Sequence, residues 1–353
     1  MTPSPSIVRR RTLGASLGLG DALFASNEEK TFARAIEAGL DAVEAGLTAQ
    51  LSFADDIADA AGRYLMDAGG KRVRPVLALL TAQLGDGATD DVVVAAQAVE
   101  ITHVASLYHD DVMDDAQVRR GVPSAQTVWG NSVAILTGDL LFARASKLVA
   151  GLGERALTIQ ADVFERLCLG QLHETIGPQP GQDPIEHYLG VLADKTGSLI
   201  SCAALVGVIF SNARDEYRDP VQAFGEKVGV AFQLVDDVID LSAAVEQTGK
   251  AAGTDLRAGV PTLPLLYLRR EAETDAGAAA LLARLDEGLA TDADPEVFAQ
   301  AVAELREHPV TAATIAEARR WADEAVEALA PLPEGPVKKS LSRFAQAIVE
   351  RSG

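Results

Sequence analysis

Glu100-Ile-Thr-His-Val-Ala-Ser-Leu-Tyr-His-Asp-Asp-Val-Met-Asp-Asp115 closes an apolar run with four carboxylates inside six positions. A buried helix tolerates that density of negative charge only where something neutralises it, and a cation is the simplest neutraliser. At about 100° per residue, Asp110 and Asp114 share one helical face, Asp111 lies beside them, and His103 sits two turns earlier on that face. Hard oxygen ligands so arranged suit Mg²⁺, which keeps several waters and takes one or two carboxylates plus substrate phosphate oxygens. The expected partner is phosphorylated and bridged through metal. Arg119 and Arg120 follow at once and offer bidentate contacts to phosphate.

The chain supplies its own comparisons. Asp55-Asp56-Ile-Ala-Asp59 repeats the acidic spacing but has no basic pair beside it and no histidine on its face, so it reads as surface. Asp236-Asp237-Val-Ile-Asp240 ends the apolar run Val228–Val235 as the first motif ends its own. Two such helices facing each other would hold a metal cluster between them.

The 353 residues are 48% hydrophobic but only 5% aromatic, so Ala, Leu and Val must build the core, and Ala and Leu favour helix. No linker or abrupt composition shift interrupts residues 27–350, which predicts one large domain over 27–353 after a flexible lead-in of residues 1–26. A net charge of −20 argues against nucleic acid and against docking on anionic lipid. Cys168 and Cys202 lie in apolar helical stretches without metal or redox spacing, and read as buried thiols in a reducing, cytoplasmic setting. Arg9-Arg-Arg-Thr-Leu-Gly-Ala-Ser-Leu-Gly-Leu-Gly20 resembles a twin-arginine signal, but Gly14, Gly18, Gly20 and Asp21 break its apolar part. No uninterrupted apolar run reaches the roughly 18 residues of a membrane span.

Along the chain, Ser26-Asn-Glu-Glu29 fits a capping box before a long first helix, and a second covers residues 53–67, stopping at Gly69-Gly70. Lys71-Arg-Val-Arg74-Pro75 then sets basic side chains beside a helix start, a favourable place for an anion. Further helices are expected over 90–113, from Val133 through Asp139, and over 155–176 and 184–194. Asp139 would serve either a structural hydrogen bond or the site. Asp194-Lys195-Thr196-Gly197 interrupts the helical pattern. Residues 247–261 are rich in glycine and read as a mobile lid. Helices over 263–284, 295–307, 309–329 and 336–351 complete an all-α bundle with its site in a central cavity, and Asp294 caps the helix at Pro295.

Taken together, Gly-Gly-Lys71-Arg-Val-Arg74-Pro, the Asp110 motif with Arg119-Arg120-Gly, Gly130-Asn131, Gly138-Asp139, Lys195-Thr196-Gly, Phe232-Gln233-Leu-Val-Asp236-Asp237 and Gly249-Lys250 resemble the trans-polyprenyl diphosphate synthase family across residues 27–350. The resemblance implies an isoprenoid-synthase-type helical bundle, usually a homodimer, that condenses isopentenyl diphosphate with an allylic diphosphate. It also implies that Asp110, Asp111, Asp114, Asp236, Asp237 and Asp240 hold more than one Mg²⁺ ion. Arg119, Lys195, Thr196, Gln233 and Lys250 would contact the allylic substrate, and Lys71, Arg74, His103 and Arg120 the isopentenyl diphosphate. One departure stands out: Val260 occupies a position where relatives often carry lysine, so one cationic contact is missing.

A growing hydrocarbon would run along the helix before Asp110, where Ala105 and Ser106 are small. Shorter-chain relatives tend to carry aromatics at these positions. A medium- or long-chain product is therefore expected. The alternatives are a short-chain geranylgeranyl or farnesyl diphosphate synthase and a class I terpene cyclase; a non-catalytic partner subunit would have lost its acidic motifs.

Overall fold

Side-chain caps set many of the helix starts, and the spacing of apolar residues sets which face each helix buries. The computed structural model describes residues 27–242, 252–289 and 295–351. Its helices are α1 (Asn27–Gln50), α2 (Asp56–Asp67), α3 (Val73–Ala82), α4 (Asp90–Met113), α5 (Ala125–Trp129), α6 (Asn131–Leu152), α7 (Glu154–Ile176), α8 (Pro184–Leu192) and α9 (Ser198–Phe210). They continue as α10 (Arg218–Asp240), α11 (Thr254–Arg257), α12 (Leu263–Ala272), α13 (Ala276–Gly288), α14 (Pro295–Glu307), α15 (Pro309–Ala328) and α16 (Pro336–Glu350). A π-helical turn, Ala193–Gly197, joins α8 to α9. The all-α expectation is met, apart from a two-residue hairpin of β1 (Val118–Arg119) and β2 (Val122–Pro123).

The Asp55 carboxylate accepts from the amides of Ile57 and Ala58 and so starts α2. Thr89 and Asp183 do the same for α4 and α8, the latter with Pro184 in its first turn. The described residues fall into two compact units, one of 27–165, 198–225 and 326–344, the other drawn from 166–197, 226–325 and 345–351.

In the first unit α4 is enclosed by α6, α3, α9 and α1. The α4–α6 approach is close enough that a Cβ on Gly138 would lie 2.3 Å from His109 Nε2 and 3.2 Å from the Ala105 carbonyl, so a larger residue would force the His109 ring aside. Tyr108, fully buried, donates its hydroxyl to the Ala61 carbonyl and accepts from Leu65 N at 3.3 Å, tying α4 to α2. In the second unit α12, α13 and α14 stack around Leu268, Leu281, Leu285, Phe298 and Leu305, and α12 also packs on α8.

Three expectations are corrected. Residues 263–284 do not form one helix; Asp275 accepts from Ala278 N at 2.8 Å and caps a new one, a break that the flanking Ala and Leu residues disguise. Cys202 is buried, but Cys168 is exposed on α7, which carries more apolar residues than the fold covers. Although no uninterrupted apolar run exists, the helical stretch Pro184–Phe210 contains an 18-residue window of mean hydropathy 1.5, long and apolar enough to cross a membrane, with 67% of it buried inside the fold as in a core helix. The lead-in 1–26, with Ser26 of the capping box, the cap Asp294 and residues 247–251 of the expected lid, Lys250 included, lie outside the described residues.

Candidate active site

In the first unit the acids sit where α4 ends. Asp110 is half-buried and Asp111 fully buried, while Asp114 lies one residue beyond the helix, its amide donating to the Asp110 carbonyl at 2.8 Å. The shared face expected for Asp110 and Asp114 therefore persists only as far as this capping turn. Asp115 follows at φ 47°, and the chain enters the hairpin, whose two turn residues Arg120 and Gly121 both have positive φ, at 54° and 78°. That is the requirement of a tight hairpin turn matched to strand twist. The turn sends the two arginines different ways. Arg119 Nε returns to Asp111 Oδ1 at 2.6 Å, and Arg120 Nη1 donates to the carbonyls of Leu65, at 2.6 Å, and Gly69.

A cluster of half-buried cations surrounds Glu100, itself 2% exposed. Arg72, at the N-cap of α3 with φ 52°, reaches Glu44 Oε1 at 2.6 Å through Nε and Glu100 Oε1 at 3.6 Å through Nη1. Burial pushes Arg74 down to about 10, against the raising influence of Glu100, and its Nε is buried without a hydrogen-bond partner among the described residues. His103 is held well below its usual value, first by burial and then by Arg74, Arg120, Arg119 and Arg72, so its imidazole is neutral at pH 7. Arg120 is also lowered by burial. Half-buried guanidinium groups with a buried, bare N–H are short of negative charge, and an anion bearing several oxygens would complete them. Lys71 is exposed beside them. Of the expected ligands, Arg74, His103, Arg119 and Arg120 thus come together. Glu100, Arg72 and Glu44 were missed, although a glutamate inside an apolar helix was a signal.

On α4 the half-exposed residues His103, Ser106, Leu107 and Asp110 form a stripe at helical spacing, whereas Ala105 is fully buried. Ser106 shares the face of His103 and Asp110, and Ala105 is enclosed beside Gly138. Asp139 is exposed and lies 3.4 Å from His109. The Asp55 triplet serves structure: Asp55 caps α2, and Asp59 Oδ1 accepts from Phe53 N at 3.0 Å.

In the second unit α10 carries Gln233, Asp236, Asp237 and Asp240 on its last turns. Asp237 is 1% exposed; its Oδ2 accepts from the Tyr188 hydroxyl at 2.6 Å and from Leu263 N at 3.4 Å, while Oδ1 is buried without a hydrogen-bond partner among the described residues. Burial pushes this carboxyl up to about 7, against the hydrogen bond from Tyr188; Gln233, one turn earlier, also favours the charged form. Asp236 lies 3.6 Å from Arg351. Asp240 receives Asp255 N at 3.0 Å on its side chain and Gly253 N at 2.8 Å on its carbonyl. The predicted interruption at 194–197 is the π-helical turn, a geometry found at functional sites. Within it Lys195 pairs with Glu174, and Arg166 holds Asp194 and Glu226, each at 2.8 Å. Val260 is half-buried, its amide donating to the Asp255 carbonyl.

Comparison with known proteins gives these features a family. The polyprenyl synthetase family model matches residues 55–304. The chain belongs to the polyprenyl synthetase family. Among its relatives, a nonaprenyl diphosphate synthase of Mycobacterium tuberculosis is 43% identical over 97% of this chain and 98% of its own. A polyprenyl synthase from Caulobacter crescentus, solved in complex with calcium and isoprenyl diphosphate, superposes with a TM-score of 0.82 at 30% identity, covering 91% of this chain and 97% of that one. A geranylgeranyl pyrophosphate synthase from Corynebacterium glutamicum, also with calcium and isoprenyl diphosphate, reaches 0.78 at 40% identity over 93% and 99%. As a family member the chain is a prenyltransferase.

Among the described residues no three His, Cys, Asp or Glu side chains group closely enough to hold a metal by themselves. The donors nonetheless fit a hard divalent cation. They are all carboxylate oxygens, and Asp237 keeps one buried oxygen without a hydrogen bond and a carboxyl that burial alone leaves reluctant to ionise.

Proposed function

We propose that this prenyltransferase condenses isopentenyl diphosphate with an allylic diphosphate, head to tail, and releases a medium- or long-chain all-trans polyprenyl diphosphate. The observation that carries the reading is the cation cluster on α3, α4 and the hairpin, with a bare Arg74 Nε and a neutral His103 that begins the stripe leading to Asp110. Such a cluster recognises a diphosphate without metal. A class I terpene cyclase, which takes one substrate, has no need of it.

Asp110, Asp111 and Asp114 with Asp236, Asp237 and Asp240 would hold Mg²⁺, more than one ion. When bound, divalent ions supply charge neutralisation that makes the allylic diphosphate a leaving group. Arg119, Lys195, Thr196, Gln233 and Lys250 would bind that diphosphate and offset the charge developing on the departing oxygen. Lys71, Arg74, His103 and Arg120 would hold isopentenyl diphosphate while its double bond attacks the allylic carbon, and the proton then lost goes to the released diphosphate. The relatives' calcium and isoprenyl diphosphate support this assignment of ligand classes.

Small Ser106 on the exposed stripe and the 43% identity to a nonaprenyl diphosphate synthase support the longer product. A homodimer fits the large apolar side chains exposed on α6 and α7, among them Leu136 at 66%, Leu157, Phe164 and Leu172, since monomers rarely leave such patches uncovered. Two free thiols suit the cytoplasm. The test is chromatography of dephosphorylated products from labelled isopentenyl diphosphate, Mg²⁺ and a farnesyl or geranylgeranyl primer. Products stopping at four isoprene units or fewer would reject the long-chain reading, and hydrocarbon released from the primer alone would reject the condensation.

A further inference from the structure

Tyr188 has no place in the reading above, yet it is a buried phenol whose hydroxyl donates to a candidate metal ligand. It sits on α8, 6% exposed, with its hydroxyl 2.6 Å from Asp237 Oδ2. Leu263 N approaches the same oxygen at 3.4 Å, from the start of α12. Two donors from different helices on one oxygen, with the Gln233 side chain also hydrogen-bonded to the carboxyl, set the plane of the carboxylate and restrict rotation about its Cβ–Cγ bond. The other oxygen, Oδ1, is buried and has no hydrogen-bond partner among the described residues. Since a buried oxygen left unsatisfied is costly, the arrangement makes sense where something else completes Oδ1. A neutral donor suits this task better than a cation. Lysine or arginine at 188 would compete for the charge that the carboxylate must keep for its ligand, whereas a phenol orients the group and leaves its charge in place. Groups behind metal-ligating carboxylates commonly act in this way, and their loss costs about 10- to 100-fold in metal affinity.

We propose that Tyr188 is a positioning residue for Asp237, fixing its carboxylate by Oδ2 so that Oδ1 is presented to a divalent cation. This rests on the assignment of Asp237 as a metal ligand. The test measures Mn²⁺ affinity of the full chain by the free-ion electron paramagnetic resonance signal, with inorganic diphosphate present, for the wild type, Y188F, Y188Q, D237N and the Y188F/D237N double variant. Tyr188→Phe should weaken Mn²⁺ binding about 10- to 100-fold. Tyr188→Gln, which keeps a donor, should recover part of that loss, and Tyr188→Phe should add nothing once Asp237 is already Asn. A merely structural tyrosine would lower the melting temperature equally in both backgrounds without this loss of additivity. Y188F within twofold of wild type while D237N binds weakly would overturn the role of Tyr188 alone; unchanged affinity in D237N would overturn the metal assignment beneath it. Should Y188F fail to fold, Y188Q against D237N decides, with equal Mn²⁺ affinity in D237N and Y188Q/D237N expected, and a further loss in the double variant relative to D237N counting against the proposal.

Discussion

Replacing Gly70 by Ala should damage one substrate's binding as well as strain the backbone, whose φ of 157° there suits glycine. A methyl group at that position would stand 2.4 Å from Arg72 Nη1 and 3.3 Å from Arg120 Cζ and Nη1. Ordinary contact begins near 3.4 Å, so the Arg72 head must retreat by about 1 Å. It cannot do so and keep both its 2.6 Å bond to Glu44 and its approach to Glu100. Arg120, next to it, is held by the carbonyls of Leu65 and Gly69. Of the assigned isopentenyl diphosphate contacts, Arg120 is the one crowded by the new methyl, at 3.3 Å; a hydrogen bond with a charged partner contributes about 1.5–3 kcal/mol, so the loss of that contact corresponds to roughly 10- to 150-fold in affinity. The assay is steady-state kinetics with each substrate varied in turn, beside a thermal melt. KM for isopentenyl diphosphate should rise about 10- to 100-fold, and that of the allylic primer should stay within about twofold. A folded Gly70→Ala protein with an unchanged KM for isopentenyl diphosphate would refute the assignment of this cluster to that substrate.

Ser106→Phe should shorten the product, because residue 106 lies on the half-exposed stripe, whereas Ala105→Phe, at an enclosed position, should instead cost about 1–3 kcal/mol of stability through overpacking; an unaltered product ladder in the Ser106 variant would mean the hydrocarbon runs elsewhere. Asp55→Ala should lose about 1 kcal/mol of stability by uncapping α2 and leave turnover at permissive temperature intact, and a loss of turnover without a loss of stability would mark that triplet as functional after all. His103, depressed in the folded state, binds its proton more readily in the unfolded chain; stability should therefore fall as pH drops below about 6.5, by at most about 1.4 kcal/mol per pH unit, and His103→Gln should flatten the slope. An imidazole resonance for His103 titrating near 6.5 would contradict its enclosure by arginines.

Much of the helical frame was readable because its signals are local. The residue span 90–113 follows from Thr89, an apolar run and an acidic end, and helices at Pro295, Pro309 and Pro336 follow from proline in the first turn. Features that depend on distant partners were not readable. The π-helical turn shows in composition only as an interruption, since its hydrogen-bond phase leaves no residue signature. Glu100 and Tyr188 look like ordinary members of apolar helices until their partners, Arg72 and Asp237, are placed beside them. The hairpin that aims Arg119 and Arg120 leaves no sequence signal, because positive φ at an arginine is uncommon and nothing before Gly121 announces it. The break at Asp275 failed for the opposite reason, with strong helix formers on both sides hiding a cap.

The enclosure of α4 has an evolutionary corollary. With neighbours on nearly every side, its second half offers diversification a column about one residue wide, running through His103, Ser106, Leu107 and Asp110. Two of those four are committed to substrate charge, so along this column a library seeking new product sizes has only 106 and 107. Variation in chain length among lineages should accumulate there, while the sealed faces of the same helix drift only as fast as their packing allows.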